Sequence, residues 1–294
     1  MVTVRRPIRD LPVSNIRERY LYTLLLLLMT PLMQKAAAQE LLDIDSAEKR
    51  LKSQFLGKTV FVRNFYEGNS LRFSSEGTLF NNSQSGPWTL YAQIELTEIK
   101  LNTDTLELSG TRLFVYFDKK TKQFKGAPLT EAVQISVETV PGTDITKLEQ
   151  ALSKIFLFER AKLADLVPPY WKKWLLNETA ADGDSQALGR GVRGAVYRLD
   201  DVASRPRLLT RSEPMYPEIA RRASVEGKLI VSAVVSKAGQ LQVMDIIEPL
   251  GLGLDEAAIE SMRRWKFAPA RHNGEPVDVE LNIEVNFALI NSPR

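Results

Sequence analysis

The sequence predicts an α+β protein, and three observations carry that expectation. Strand-like runs crowd the first half of the chain, a helix–hairpin–helix–strand pattern fills the last third, and the final run alternates apolar and polar residues with period two. At ~100–200 residues per domain, 294 residues suggest two domains or one large one.

Composition narrows the chemistry. The chain is 44% hydrophobic and 26% charged, the balance of a globular protein. It has no Cys, which removes disulfides, thiol nucleophiles and Cys-based metal sites, and a single His, His272, which leaves acid–base work to carboxylates. No metal site, catalytic residue or cofactor is expected. A binding or coupling protein fits better than an enzyme.

Residues 1–38 read as a targeting segment. Arg5, Arg6, Arg9, Arg17 and Arg19 precede the apolar run Leu21–Met33, and Ala36-Ala37-Ala38 follows. A basic region, a short apolar core and a small-residue site describe a secretory signal peptide, here cut between Ala38 and Gln39. The run is short for a spanning helix of ~20 residues, and an uncleaved inner-membrane anchor facing the periplasm is the competing reading. Removing residues 1–38 takes away six basic and two acidic residues, so the net charge falls from +3 to −1. A near-neutral mature chain argues against nucleic-acid binding, which needs a Lys/Arg-rich face.

Residues 40–177 are expected to form a β-rich, antiparallel domain with helices at its ends. Leu41–Leu56 reads as a helix. Strand-like runs follow at Lys58–Tyr66, Ser70–Phe80, Trp88–Asn102, Thr105–Phe124 and Glu131–Val140. Leu90, Ala92, Ile94 and Leu96 alternate, but Ile99 and Leu101 sit on the opposite parity, which predicts a bulge near Thr97–Glu98. Leu148, Leu152, Ile155 and Phe158 recur at helical spacing, and Pro168-Pro169 ends that helix. The following Tyr170, Trp171 and Trp174 read as core closure, with a lipid or carbohydrate platform as the alternative. Residues 178–194 are small and polar and read as a linker. Their Gly189-Arg-Gly-Val-Arg-Gly194 matches G-x-G-x-x-G without the flanking strand and helix that a dinucleotide site needs. It reads as a spacer. A fragment beginning near Val196 is then expected to fold independently.

The region 195–294 has the order α-β-β-α-β. A first helix starts at Tyr216-Pro217, Lys228–Lys237 and Gln240–Glu248 form a hairpin across Ala238-Gly239, and Asp255 offers an N-cap-like carboxylate to a second helix. Leu254, Ala257, Ala258, Ser261, Met262 and Trp265 share one face of that helix. In the last run Val277, Val279, Leu281, Ile283, Val285, Phe287 and Leu289 alternate with Asp278, Glu280, Asn282, Glu284 and Asn286. A three-stranded antiparallel sheet under two helices leaves a long strand on an edge, where unpaired N–H and C=O groups accept another chain. Leu281, Asn282, Ile283, Glu284, Val285, Asn286 and Phe287 are the candidate partner-binding residues. His272 reads as a loop residue.

Glu213-Pro-Met-Tyr-Pro217, Ala220-Arg221, Gly227-Lys-Leu-Ile-Val231, Gly239, Gly253-Leu-Asp255, Ala257-Ala258, Trp265-Lys-Phe-Ala-Pro269 and Gly274-Glu-Pro-Val277 together resemble the TonB C-terminal domain, over about residues 211–289. The resemblance marks Pro214, Tyr216, Pro217, Gly227, Gly239, Leu254, Ala257, Ala258, Trp265, Phe267, Pro269, Gly274 and Pro276 as structural motif positions. It implies a periplasmic domain that pairs with the TonB box of an outer-membrane transporter, or with another envelope protein, in energy-coupled transport. An inner-membrane motor of the ExbB/ExbD type joins the expected partners only if the N-terminus stays as an anchor. The alternative is a non-energised scaffold, in which this domain serves a homodimer and the β-rich region holds a ligand.

Overall fold

The computed structural model describes residues 44–80, 82–140, 145–176 and 196–289. The expected export segment with Ala38 and Gln39, and the expected linker with Gly189–Gly194, lie outside these residues. Among the described residues no helix is long and apolar enough to cross a membrane.

The fold is α+β. Helix α1 covers 44–55 and buries Leu51 and Phe55 against the first sheet. Five strands and two helices follow: β1 (Thr59–Val62), β2 (Ser70–Phe73), the single turn α2 (Trp88–Tyr91), β3 (Gln93–Leu101), β4 (Thr105–Asp118), β5 (Gln123–Glu138) and α3 (Ile145–Ile155). β6 (Phe156–Leu157) completes a six-stranded sheet in the order β2-β5-β4-β3-β1-β6. The expected bulge is present, as a register shift between Leu96 and Glu98. Leu148, Leu152 and Ile155 are buried on α3, while Phe158 lies beyond its end and is exposed.

Several details differ from the sequence reading. The Lys58–Tyr66 run leaves the strand for a 3₁₀ turn at Arg63–Phe65, the Ser70–Phe80 run is strand only to Phe73, and the Thr105–Phe124 run is divided between β4 and β5. The sheet is not purely antiparallel, because β2 runs parallel to β5 through Ser70–Phe73 and Gln134–Val137. Chain direction is set by how β2 is delivered: it leads into a local turn (Gly77 N to Ser74 O, 2.9 Å) rather than a hairpin onto β5. The start of the Trp88–Asn102 run is helical, since Pro87 precedes a closed turn in which Ala92 N bonds Trp88 O at 3.1 Å.

Past the short 3₁₀ turns at Arg160–Asp165 and Pro169–Trp171 comes α4 (Lys172–Leu175). The second region contains β7 (Tyr197–Arg198), β8 (Arg207–Thr210), α5 (Glu218–Arg222), β9 (Gly227–Val235), β10 (Leu241–Glu248), α6 (Leu254–Met262), β11 (Lys266–Ala268), β12 (Ala270–His272), β13 (Glu275–Val277) and β14 (Val279–Phe287). The expected α-β-β-α-β order is there, with short strands inserted. Its main sheet has four strands rather than three, in the order β10-β9-β14-β7. The fourth, β7, pairs with β14 in parallel at Val279 and Glu280. Two residues in a polar setting carry no period-two pattern, so β7 is invisible in the sequence.

The two regions share one apolar core. Phe114, Val115, Trp88, Leu90 and Trp171 from the first join Leu250, Leu252, Leu254 and Ala258 from the second in a single cluster. Main-chain bonds stitch it: Phe117 N donates to Leu250 O at 2.8 Å and Leu252 N to Val115 O at 3.0 Å. Gly251 makes the approach possible. Its φ is +83°, and a Cβ there would lie 2.7 Å from Tyr116 Cα and from Val115 O. The C-terminal region thus packs jointly with the first sheet.

Candidate strand-accepting edge

The last strand is the most regular element of the second region. Val279, Ile283, Val285 and Phe287 are buried beneath the helices, and Asn282, Glu284 and Asn286 are exposed on the opposite face. The sequence run Val277–Leu289 is split at Asp278, with Val277 in β13 and Val279 opening β14. β14 pairs with β9 along its full length, from Val279↔Val235 to Phe287↔Gly227.

The parity of its backbone groups follows from β7. Tyr197 N donates to Asp278 O at 2.9 Å, so the Asp278 carbonyl points away from β9. In an unbulged strand the same side is presented every second residue. Glu280, Asn282, Glu284 and Asn286 thus aim N–H and C=O at the outer edge, while Leu281, Ile283 and Val285 bond to β9. β7 occupies the edge only at its start. From Leu281 to Phe287 no strand of the described residues pairs on that side.

The other edge of the sheet is covered at Asp245 and Ile246. The indole of Trp174 donates to Ile246 O on β10 at 2.9 Å, and Lys173 pairs with Asp245 beside it. Trp171, 1% exposed, donates to Glu256 Oε1 at 3.0 Å and stacks edge-on against Trp88 at 5.4 Å. The aromatic cluster therefore closes a core, as its composition suggests, and also covers the β10 edge. Nothing in the sequence assigns that second task, because it depends on which strand lies beside residues 169–175.

The motif residues are scaffold. Tyr216 donates its hydroxyl to Val225 O and sets its ring perpendicular to Phe287 at 5.6 Å, which ties the entry of α5 to the end of β14. Pro217 is the N-cap of α5 rather than its first residue, with Pro214 half-buried before it. Leu254 and Ala258 are buried on α6 with Ala257 half-buried. Trp265 anchors its indole on Ser212 O at 2.9 Å, and Phe267 is buried beside it. Gly239 lies where a Cβ would come within 2.0 Å of Phe267 O, so the β9–β10 loop can close over β11 only with glycine. That loop spans Ser236–Gln240, longer than the two residues expected, with Ser236 N bonded to Gln240 O at 2.9 Å. Gly227 opens β9, Pro269 links β11 to β12, and Pro276 lies in β13, paired with Arg271. Gly274 follows Asn273 in the β12–β13 turn, an Asn-Gly hairpin signal that the reading of this stretch as a loop passed over.

Asp255 is not a helix N-cap. It is fully buried in the first turn of α6 and accepts from Leu250 N at 2.9 Å and Gly251 N at 2.6 Å, bracing the turn that meets the first sheet. Burial pushes its carboxyl up despite those amides. Burial and the neighbouring Asp255 charge push Glu256 up as well. His272 stacks on Tyr197 at 4.7 Å, and its Nδ1 lies 2.8 Å from Asp201 O, so it holds the β7 loop in place. Among the described residues no cluster of three His, Asp or Glu side chains is arranged to hold a metal.

A small α+β module, two helices over a four-stranded sheet with one edge covered and one open, is the class this geometry defines. Residues 212–289 match the family model described as Gram-negative bacterial TonB protein C-terminal. Protein TonB of Vibrio cholerae is 29% identical over 90 residues, which is 30% of this chain and 37% of that protein. Protein TonB of Xanthomonas campestris is 34% identical over 77 residues, 26% of this chain and 34% of the relative. Protein TonB of Escherichia coli K12 is 30% identical over 86 residues, 29% of this chain and 36% of the relative. The chain thus spans about a third of the length of these relatives. The solution structure of the Pseudomonas aeruginosa TonB C-terminal domain aligns at TM-score 0.26 and 23% identity, over 34% of this chain and 100% of that one.

Proposed function

We propose that this chain is a periplasmic TonB-like coupling protein, not an enzyme, that captures a strand of an envelope partner on the β14 edge. The partner is the TonB box of an outer-membrane transporter or a comparable extended segment. The observation that carries the reading is the unpaired row of N–H and C=O groups at Asn282, Glu284 and Asn286 in a TonB-type domain. Each ladder bond formed there adds about 0.5–1.5 kcal/mol, and flanking side chains set preference. Leu281, Ile283, Val285 and Phe287 hold the strand flat from beneath.

Proline at Asn282 or Glu284 tests this directly. Both N–H groups point outward, so neither substitution breaks a bond to β9. Both variants should keep the wild-type circular dichroism and melting profile yet lose binding to TonB-box peptides. Retained binding by both folded variants refutes the edge.

We also propose export with cleavage between Ala38 and Gln39, and a chain organised as a β-rich region over 40–177, a linker over 178–194 and the TonB-type region over 195–294. N-terminal sequencing of exported protein checks the cleavage. Full-length chain in the inner-membrane fraction would contradict it and point instead to an anchored transducer driven by an ExbB/ExbD-like motor. A non-energised scaffold is the second reading, favoured by the core shared between the two regions.

A further inference from the structure

We propose that Asn282 and Asn286 select which strand is accepted at the β14 edge, favouring partners with uncharged hydrogen-bonding side chains at the two facing positions. The proposal rests on the edge reading above and adds a chemical class to it.

The polar face of β14 carries Asp278, Glu280, Asn282, Glu284 and Asn286 in one row. The carboxylates in that row are already drawn inward, toward β9 and its loop. Asp278 Oδ1 accepts from Lys237 N at 2.7 Å, Glu280 Oε1 from Ser232 Oγ at 2.8 Å, and Glu284 Oε1 pairs with Lys228 Nζ at 2.8 Å. The register makes these contacts diagonal. Ser232 stands directly opposite Asn282, and Lys228 directly opposite Asn286. The one proton of Ser232 therefore goes to Glu280 rather than to the amide facing it, and the Lys228 ammonium goes to Glu284. Both asparagines are exposed, on residues whose backbone groups aim at the open edge.

A strand added there lies ~4.7–4.9 Å away, with facing Cβ atoms ~4.5–5.5 Å from those of β14. At that distance an amide reaches a facing hydroxyl or amide and can donate or accept. The selected positions in the partner are four residues apart on one face, matching 282 and 286. An acidic side chain at either selected position would lie diagonal to the Glu284 carboxylate, and at the position facing Asn282 diagonal to Glu280 as well, and like charges across strands are unfavourable.

The test uses the full mature chain and three strand-forming peptides that differ only at two positions four residues apart: Thr at both, Val at both, or Asp at both. Thr and Val have nearly the same shape, so their difference isolates the hydroxyl. Wild-type protein should bind the Thr peptide about three- to tenfold more tightly than the Val peptide per position, and the Asp peptide weakest. Asn282→Leu combined with Asn286→Leu should still bind the Val peptide, with its fold confirmed by circular dichroism, and lose the Thr preference. If the folded double variant keeps the wild-type Thr-to-Val ratio, the asparagines do not select and the proposal is overturned while the edge reading stands. If wild-type protein binds none of the three peptides, and TonB-box peptides do not bind either, the edge reading fails and takes the proposal with it.

Discussion

The two outer strands of one sheet have opposite fates. β10 is covered at Asp245 and Ile246 by a segment from the other half of the chain, through the Trp174 bond to Ile246 O and the Lys173–Asp245 pair. β14 is covered only at Val279 and Glu280 by the two residues of β7. Exposed strand edges invite uncontrolled pairing, and proteins usually block them. The β5 edge in the first sheet is guarded differently: Pro128 and a register shift between Leu113 and Val115 interrupt it where β2 no longer pairs.

The closed side offers the largest effect. Trp171→Ala removes a buried indole that packs on Trp88 and Phe124, and should lower unfolding free energy by about 3–5 kcal/mol in urea titrations. A loss below about 1 kcal/mol would mean that the two regions are not held by this residue. Trp174→Phe keeps most of the ring but drops the indole N–H, at a cost of about 1–2 kcal/mol. It also leaves the Ile246 carbonyl open, so sedimentation velocity should show dimers appearing as concentration rises. A strictly monomeric Trp174→Phe would show that β10 is protected by something other than this bond.

The joint also predicts a pH dependence. A carboxyl whose folded pKa is raised contributes stability that is fully present below its unfolded value near ~4 and is lost as pH rises through the folded value. Glu256 is such a group, pushed up by burial and by Asp255. Glu256→Gln stays neutral and can still accept from the Trp171 indole, so its melting temperature should gain on wild type as pH rises from about 4 through neutrality. A difference that shrinks over that range would reverse the assigned sign. The smallest effect belongs to the open side. Lys228→Ala breaks an exposed pair with Glu284 and should change stability by less than about 1 kcal/mol, readable by differential scanning calorimetry.

How much of this could be read from the chain depends on the range of the interaction. The β3 bulge was legible because parity is local: Leu96 and Ile99 cannot share a face in an unbroken strand. The core face of α6 and the alternation of β14 were legible for the same reason. The closed β10 edge was not, since Trp174 lies far along the chain from Ile246 and only the fold brings them together. The shared core escaped for a related reason. Gly251 looks like an ordinary turn glycine until the Tyr116 backbone is seen against it, and the polar stretch at 178–194 suggested separation. The candidate site was half legible: the strand and its exposed residues came from the pattern, whereas which groups point outward required β7.

Amide hydrogen exchange on the protein, with and without a TonB-box peptide, tests the central claim most directly. The account predicts that Asn282, Glu284 and Asn286 amides exchange quickly in the free protein and slow on binding, while Leu281, Ile283 and Val285, already bonded to β9, barely change. Protection that appears instead along β10, or along β14 without this alternation, would contradict it.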